Sequence, residues 1–190
     1  MNIILASQSP RRKELLGLFR IPFTIRVADI DETMDPDSAP FDQVARVSRK
    51  KAEAIAREPG DLVIAADTIV VCDGKILGKP TSKEDACRTL TQLSGRAHQV
   101  MTGMTLLRDD RCISCTEVTE VYFRSLTAQQ IEAYVETGDP MDKAGSYGIQ
   151  GGAALFVEKL CGDYYNVMGL PVCRLGKLME QIAPDLLAKE

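Results

Sequence analysis

Arg11 and Arg12 stand in the run Ala6-Ser7-Gln8-Ser9-Pro10-Arg11-Arg12-Lys13-Glu14-Leu15-Leu16, where an apolar strand end turns into a helix. Free backbone N–H groups and the helix dipole favour an anion at such a turn. Arginines in a first helical turn are unfavourable by about 0.3 kcal/mol or more. Either they clamp a phosphate in their forked guanidinium groups or they are simply solvated. A second group, Ile30-Asp31-Glu32-Thr33, offers adjacent carboxylates on a loop, which become metal ligands if a phosphate lies opposite. In a third, Ala65-Ala66-Asp67-Thr68, an aspartate interrupts an apolar run. Burying it demands a partner, so it is a hydrogen-bonded structural group, a metal ligand or a general base. Gly78-Lys79-Pro80 follows. A fourth group, Asp142-Lys143-Ala144-Gly145-Ser146-Tyr147-Gly148-Ile149-Gln150-Gly151-Gly152, has glycines that let a ligand approach the backbone. Its Gln150 carries both a donor and an acceptor and can read the edge of a base.

The elements that must hold these groups are visible in the periodicity. Ile3 to Ala6 reads as a short buried strand, and Ser7 or Ser9 as the cap of a helix opened by Pro10 with Leu15, Leu16, Leu18 and Phe19 inward. Phe23 to Val27 reads as a second strand. The loop from Asp29 to Pro40 holds Asp29, Asp31, Glu32, Asp35 and Asp37. A long helix to about Arg57 carries the stripe Phe41, Val44, Ala45, Ser48, Ala52 and Ile55. Lys51 lies seven residues after Val44 and four after Val47, which turns it inward. An inward lysine either meets an anion or lays its stem on apolar surface with its head in water. Leu62 to Val71 reads as a strand buried on both faces. Asp73-Gly74 marks a hairpin with Ile76-Leu77 returning, and Ser82 caps a helix with Ala86, Leu90 and Leu93 inward. Val100 to Leu107 and Cys112 to Phe123 are strands joined by a charged turn, Thr127 and Gln130 form a capping box, Leu155 to Val157 reads as a last strand and Val172 to Ile182 as a last helix. Alternating strand–helix units with hairpins predict an α/β fold with one mixed sheet and helices on its faces.

A chain of 190 residues makes one domain or at most two small lobes. With 23 Lys and Arg against 27 Asp and Glu, a net charge of −4 and no long basic run, it lacks the basic face that a nucleic-acid backbone requires. A small anionic ligand needs only a few converging cations. No apolar stretch approaches the ~18 residues of a membrane span, and the N-terminus lacks the basic region of a signal peptide. Cysteines 72, 87, 112, 115, 161 and 173 follow no framework spacing and are expected to be reduced. Cys112 and Cys115 sit three apart in a strand, on opposite faces, which disfavours a zinc or redox motif. The stretch Gly74 to Thr81 superficially resembles a P-loop, but its glycine spacing is one residue short and Pro80 occupies the Ser/Thr position. His98, the single histidine, is expected to be structural, which leaves a Ser-His-Asp mechanism without support.

Together the motifs resemble the Maf family of nucleoside triphosphate pyrophosphatases. The resemblance spans nearly the whole chain. It rests on Ser7-Gln-Ser-Pro-Arg-Arg-Lys-Glu-Leu-Leu16, Asp31-Glu32-Thr33, Lys50-Lys51-Ala52, Ala66-Asp67-Thr68, Gly78-Lys79-Pro80, Leu93-Ser94-Gly95, Asp142-Lys143-Ala144-Gly145, Tyr147-Gly148-Ile149-Gln150-Gly151 and Val167-Met168-Gly169-Leu170-Pro171. It implies a single catalytic domain over residues 1–190, with a mixed, strongly curved sheet, helices on both sides and two lobes around a cleft, a fold of the Maf and ITPase kind. It also implies cytoplasmic proteins, often dimeric, that cut a nucleoside triphosphate to monophosphate and pyrophosphate with a divalent cation. Arg12 after Arg11, Thr68 after Asp67 and Gln150 before Gly151 are similar to the subgroup acting on dTTP and UTP. Alternatives are a pyrophosphatase for 7-methyl-GTP or a deaminated purine, and a nucleotide-binding regulator of cell division.

On this reading Asp67 is the base that activates water, and Glu32 with Asp67 holds Mg²⁺ or Mn²⁺ while phosphates complete the shell. Lys51 and Lys79 bind phosphate oxygens, Ser7 and Arg11 contact substrate, and Arg12, Thr68 and Gln150 select the base. No stable nucleic-acid partner and no membrane association are expected.

Overall fold

The computed structural model describes residues 1–35 and 38–186, so Pro36 and Asp37 of the acidic loop lie outside the described residues. The elements in chain order are β1 (Ile3–Leu5), α1 (Pro10–Gly17), β2 (Thr24–Ile25), α2 (Pro40–Glu53), β3 (Leu62–Cys72), β4 (Lys75–Leu77), α3 (Lys83–Leu93), β5 (Ala97–Arg108), β6 (Arg111–Phe123), α4 (Ala128–Glu136), β7 (Val157–Cys161), α5 (Tyr164–Met168) and α6 (Val172–Ile182). Short 3-10 turns cover Asp139–Asp142, Ala144–Ser146 and Gly152–Leu155 in the glycine-rich segment. The strands form one sheet in the order β2-β1-β3-β5-β6-β7, with β4 added to β3. β1 pairs parallel with β2 and β3, whereas the β3–β4 and β6–β7 pairs are antiparallel, so the sheet is mixed as expected. No helix among the described residues is long and apolar enough to cross a membrane.

The chain divides into two compact units. Unit 1 comprises Met1–Asp67, Thr102–Glu117 and Gly169–Glu190; unit 2 comprises Thr68–Met101 and Val118–Met168. In unit 1, α2 lies on β1 and β3 through Ile4, Ala6, Ala52, Ile55, Val63, Ala65 and Leu107, all buried. Gly103 on β5 makes this close approach possible: a Cβ there would stand 2.2 Å from the Val44 carbonyl oxygen. Ser48 on α2 then hydrogen-bonds Thr105 on β5 at 2.8 Å, and Thr116 on β6 donates to the Phe41 carbonyl at 2.9 Å. These bonds fix the rotation of α2 about its axis. In unit 2, α3 and α4 pack Ala86, Leu90, Leu93, Ile131 and Tyr134 against Val70, Val100, Val121 and Phe123 of the sheet.

Several elements depart from the sequence reading. The second strand shrinks from Phe23–Val27 to Thr24–Ile25, because its partner β1 offers only Ile4 and Leu5 for pairing. The long helix ends at Glu53 rather than near Arg57, capped at Ala54, whose N–H bonds back to the Lys50 and Ala52 carbonyls. Phe41 and Leu18, placed inward by periodicity, are exposed. Leu155 lies exposed in a 3-10 turn, and the last strand begins at Val157, where Glu158 and Lys159 on an edge had masked the alternation. Helix α5 carried no recognised signal. The Gly74–Thr81 segment contains strand β4 rather than a loop entering a helix, as its rejection as a P-loop requires.

Candidate active site

In unit 1 the chemistry gathers around Lys51. β3 alternates its faces, so Val63, Ala65 and Asp67 share the side on which α2 lies. The apolar residues take the covered part and Asp67 takes the position beyond it. Lys51, one residue before the buried Ala52, meets it there: Nζ donates to Asp67 Oδ1 at 2.7 Å. The same Nζ stands 3.0 Å from Glu32 Oε1 on the loop after β2. The side chains of Lys51 and Asp67 are only 14 % and 12 % exposed, against 56 % for Glu32. An ion pair this sheltered cannot lose one member without leaving the other charge poorly solvated. Lys51 therefore projects inward as its spacing predicts, and its immediate anions are two carboxylates of the protein.

The adjacent Asp31 is spent locally. Its Oδ1 accepts from the Thr33 amide at 2.9 Å, and the Thr33 hydrogen bonds hold its carboxyl below the usual range. Of the acidic pair, Glu32 is thus the one turned to Lys51.

Ser9 is the residue that caps α1, with φ −62° and ψ 119° and its side chain accepting from the Arg12 amide. Ser7 does a different job. It is buried, and its Oγ accepts from the Ser9 amide and from Arg12 Nη1, each at 3.2 Å. Arg12 Nε donates to the Gly169 carbonyl at 2.8 Å. Burial lowers the Arg12 guanidinium from its ordinary value, Asp67 opposes that, Arg11 adds to it, and Glu32 opposes it further. The arginine nonetheless stays charged at any working pH. Arg12 is therefore pinned within the electrostatic reach of Asp67 and Glu32, while Arg11 is half-buried beside it. Gly169, whose carbonyl does the pinning, lies in the Val167–Pro171 motif, where no side chain marks it for that role.

Unit 2 carries Thr68, Lys79 and Gln150. Thr68 is half-buried, and Lys79 and Gln150 are exposed. The Gly145 amide donates to the Gly78 carbonyl at 3.0 Å, tying the glycine-rich segment to the residue before Lys79. Gly145 needs its positive φ of +69°, and a Cβ would reach 2.7 Å from Val70 Cγ2. His98 is buried, hydrogen-bonded to the Tyr147 hydroxyl at 2.7 Å and stacked edge-on with Phe123, and burial pulls its pKa down to about 4. A neutral histidine in that apolar setting fits the structural role expected of it.

No group of three or more His, Cys, Asp or Glu side chains among the described residues is arranged to hold a metal. Cys112 and Cys115 are free thiols on β6. Glu32 and Asp67 do supply two hard oxygens converging on one cationic atom. That donor set suits Mg²⁺ or Mn²⁺ when ligand oxygens and water provide the rest of the shell.

A family model described as Maf-like protein matches residues 2–182. A dTTP/UTP pyrophosphatase of Symbiobacterium thermophilum is 49 % identical over 181 residues, covering 95 % of this chain and 93 % of its own. A dTTP/UTP pyrophosphatase of Bacillus anthracis is 47 % identical over 186 residues, covering 97 % of each chain. Among solved structures, a HAM1 protein from Coxiella burnetii superposes with a TM-score of 0.52 at 15 % identity, over 95 % of this chain and 99 % of that one, a likeness of fold.

Proposed function

Since this chain belongs to the Maf-like protein family, we propose that it hydrolyses dTTP and UTP, and modified pyrimidine analogues of them, to the monophosphate and pyrophosphate. The observation that carries the proposal is the Asp67–Lys51–Glu32 triad, set beside the pinned Arg12 within unit 1. A protein that only bound an anionic ligand would gain nothing from placing two carboxylates there. Two relatives of near-full coverage that are named dTTP/UTP pyrophosphatases supply the substrate class.

Asp67 is the proposed base. Lys51 donates to Oδ1 and keeps the carboxylate oriented to take the proton of a water attacking the α-phosphorus. Lys51 then offsets the negative charge that builds on the departing pyrophosphate. Glu32 and Asp67 are the proposed ligands of Mg²⁺ or Mn²⁺, with phosphate oxygens completing the shell; when bound, the cation screens the triphosphate charge. Ser7 and Arg11 are proposed as phosphate contacts of the α1 turn. Lys79 is proposed to bind phosphate oxygens, and Arg12, Thr68 and Gln150 are proposed to recognise the base. We further propose that residues 1–190 act as one catalytic domain, in the cytoplasm, as a homodimer, with no stable nucleic-acid partner.

The decisive experiment is a panel of nucleoside triphosphates with the products separated by ion exchange. Release of pyrophosphate with dTMP or UMP, at rates well above those for purine and cytosine triphosphates, is the expected result. Release of orthophosphate alone, or binding without cleavage, would refute it. The metal proposal predicts that EDTA abolishes turnover and that excess Mg²⁺ or Mn²⁺ restores it. In Glu32→Gln the metal concentration for half-maximal rate should rise about tenfold, because a neutral amide is a weaker ligand than a carboxylate. Undiminished turnover in EDTA would remove the metal from the scheme. Base selection predicts that Gln150→Glu, which exchanges amide donors for acceptors, lowers dTTP and UTP turnover at subsaturating nucleotide, where kcat/KM sets the rate, by about tenfold or more and flattens the preference among bases. An unchanged base profile would remove Gln150 from the recognition set.

A further inference from the structure

The turn that carries Gln150 is held by a polar knot of buried Tyr134, half-buried Asp139 and Lys143 and exposed Asp142, whose members the function above leaves unused. The Tyr134 hydroxyl on α4 donates to Asp139 Oδ2 at 2.7 Å and accepts from the Gly148 amide at 3.2 Å. Lys143 Nζ stands 3.0 Å from Asp139 Oδ1 and 2.7 Å from Asp142 Oδ1, with its side chain only 13 % exposed. Asp139 lies below the usual carboxylate range: burial would raise it, but the Tyr134 hydroxyl and the Lys143 ammonium outweigh that.

The turn itself is closed by the Gly151 amide donating to the Gly148 carbonyl at 3.1 Å, with Ile149 and Gln150 as its central residues. Ile149 is buried and Gln150 is exposed. Both ends of the turn rest directly on the knot. A Cβ on Gly148 would stand 2.7 Å from Lys143 Cε, and a Cβ on Gly151 would stand 2.8 Å from Asp139 Oδ2. A Cβ at either glycine would displace the Lys143 or Asp139 side-chain end, so the two glycines let the turn sit close against the knot.

We propose that Tyr134 and Asp139 are positioning residues for base selection, holding the Gly148–Gly151 turn so that Gln150 presents its amide in one fixed place. The proposal rests on the reading of Gln150 as a base contact and adds the device that orients it. A base contact of this kind binds substrate and transition state alike, so loosening the turn weakens binding and discrimination and leaves the chemical step intact.

Tyr134→Phe tests this, because it keeps the ring packed on Phe156 and removes only the hydroxyl that joins Asp139 to the turn. The expected result is a KM for dTTP and UTP raised about tenfold, kcat within about twofold of wild type, and a matching fall in preference over dCTP. Amide hydrogen exchange at Gly148–Gly151 should accelerate in the same variant without nucleotide. Gly151→Ala is the second variant; it leaves the hydroxyl in place, presses on Asp139 from the turn side and should give the same KM and base signature. Unchanged KM and base preference in both variants, with only a lowered melting temperature, would overturn the proposal and make the knot structural alone. Equal losses in kcat and kcat/KM would overturn it too. Wild-type protein that cleaves neither dTTP nor UTP would instead refute the function on which the proposal rests, an outcome read before either variant is made.

Discussion

Asp67→Asn is expected to yield a folded protein that binds nucleotide and turns it over about a thousandfold more slowly than wild type, the scale of a lost general base. The asparagine has the shape of the aspartate, so the β3 position and its packing against α2 are kept. It can still accept a hydrogen bond from Lys51, which stands 2.7 Å from Oδ1, but it cannot take a proton from water. Lys51 also keeps Glu32 at 3.0 Å, so its charge is not left alone and the loss of stability should be modest. Equilibrium nucleotide affinity and the thermal melt separate these effects from the rate. Hydrolysis of wild type in ¹⁸O-water should place the label in the monophosphate. Label in pyrophosphate would mean attack at the β-phosphorus and would detach Asp67 from its proposed target. Wild-type turnover in Asp67→Asn would remove the base outright.

Lys51→Met is expected to be harsher on the fold and similarly severe on the rate. The methionine preserves much of the apolar stem but leaves Asp67, 12 % exposed, facing Glu32 with no cation between them. Removing one member of a sheltered pair typically costs about 3 kcal/mol or more. For a chain of this size that corresponds to roughly 6–12 °C in the melting temperature. Turnover should fall by at least about a hundredfold, as when one preorganised donor to a developing anion is lost. Assays well below the melting transition keep the two consequences apart. A variant that melts early yet retains wild-type kcat would show that Lys51 serves only to neutralise the two carboxylates.

Much of the triad was legible before the structure. Asp67 stood out because it breaks an apolar run, and a strand covered on both faces does not accept a carboxylate without a partner. Lys51 stood out because its offset from Val44 and Val47 turns it toward the core side of α2. Periodicity could not sort Glu32 from Asp31, since adjacent loop carboxylates have none, and it was the family resemblance that singled out Glu32. The Asp31–Thr33 turn sorts them in the structure. The Tyr134–Asp139–Lys143 knot went unread. Tyr134 shares the apolar stripe of α4, and its hydroxyl reaches outside the pattern that identifies the helix.

By itself the sequence determined the α/β class, the helix caps at Ser82 and Thr127, the buried length of β3 and the inward turn of Lys51. Each follows from the period of a single element or from bonds within one turn of it. The tertiary structure decided what each inward group meets. Lys51 finds Asp67 because Gly103 lets α2 settle on the sheet, and Arg12 finds the Gly169 carbonyl 157 residues away. It also decided the short β2, whose length is limited by its partner, and the late start of β7 at Val157. Periodicity reports which side of an element is covered, whereas the identity of the covering group depends on contacts between segments far apart in the chain, which no local pattern encodes.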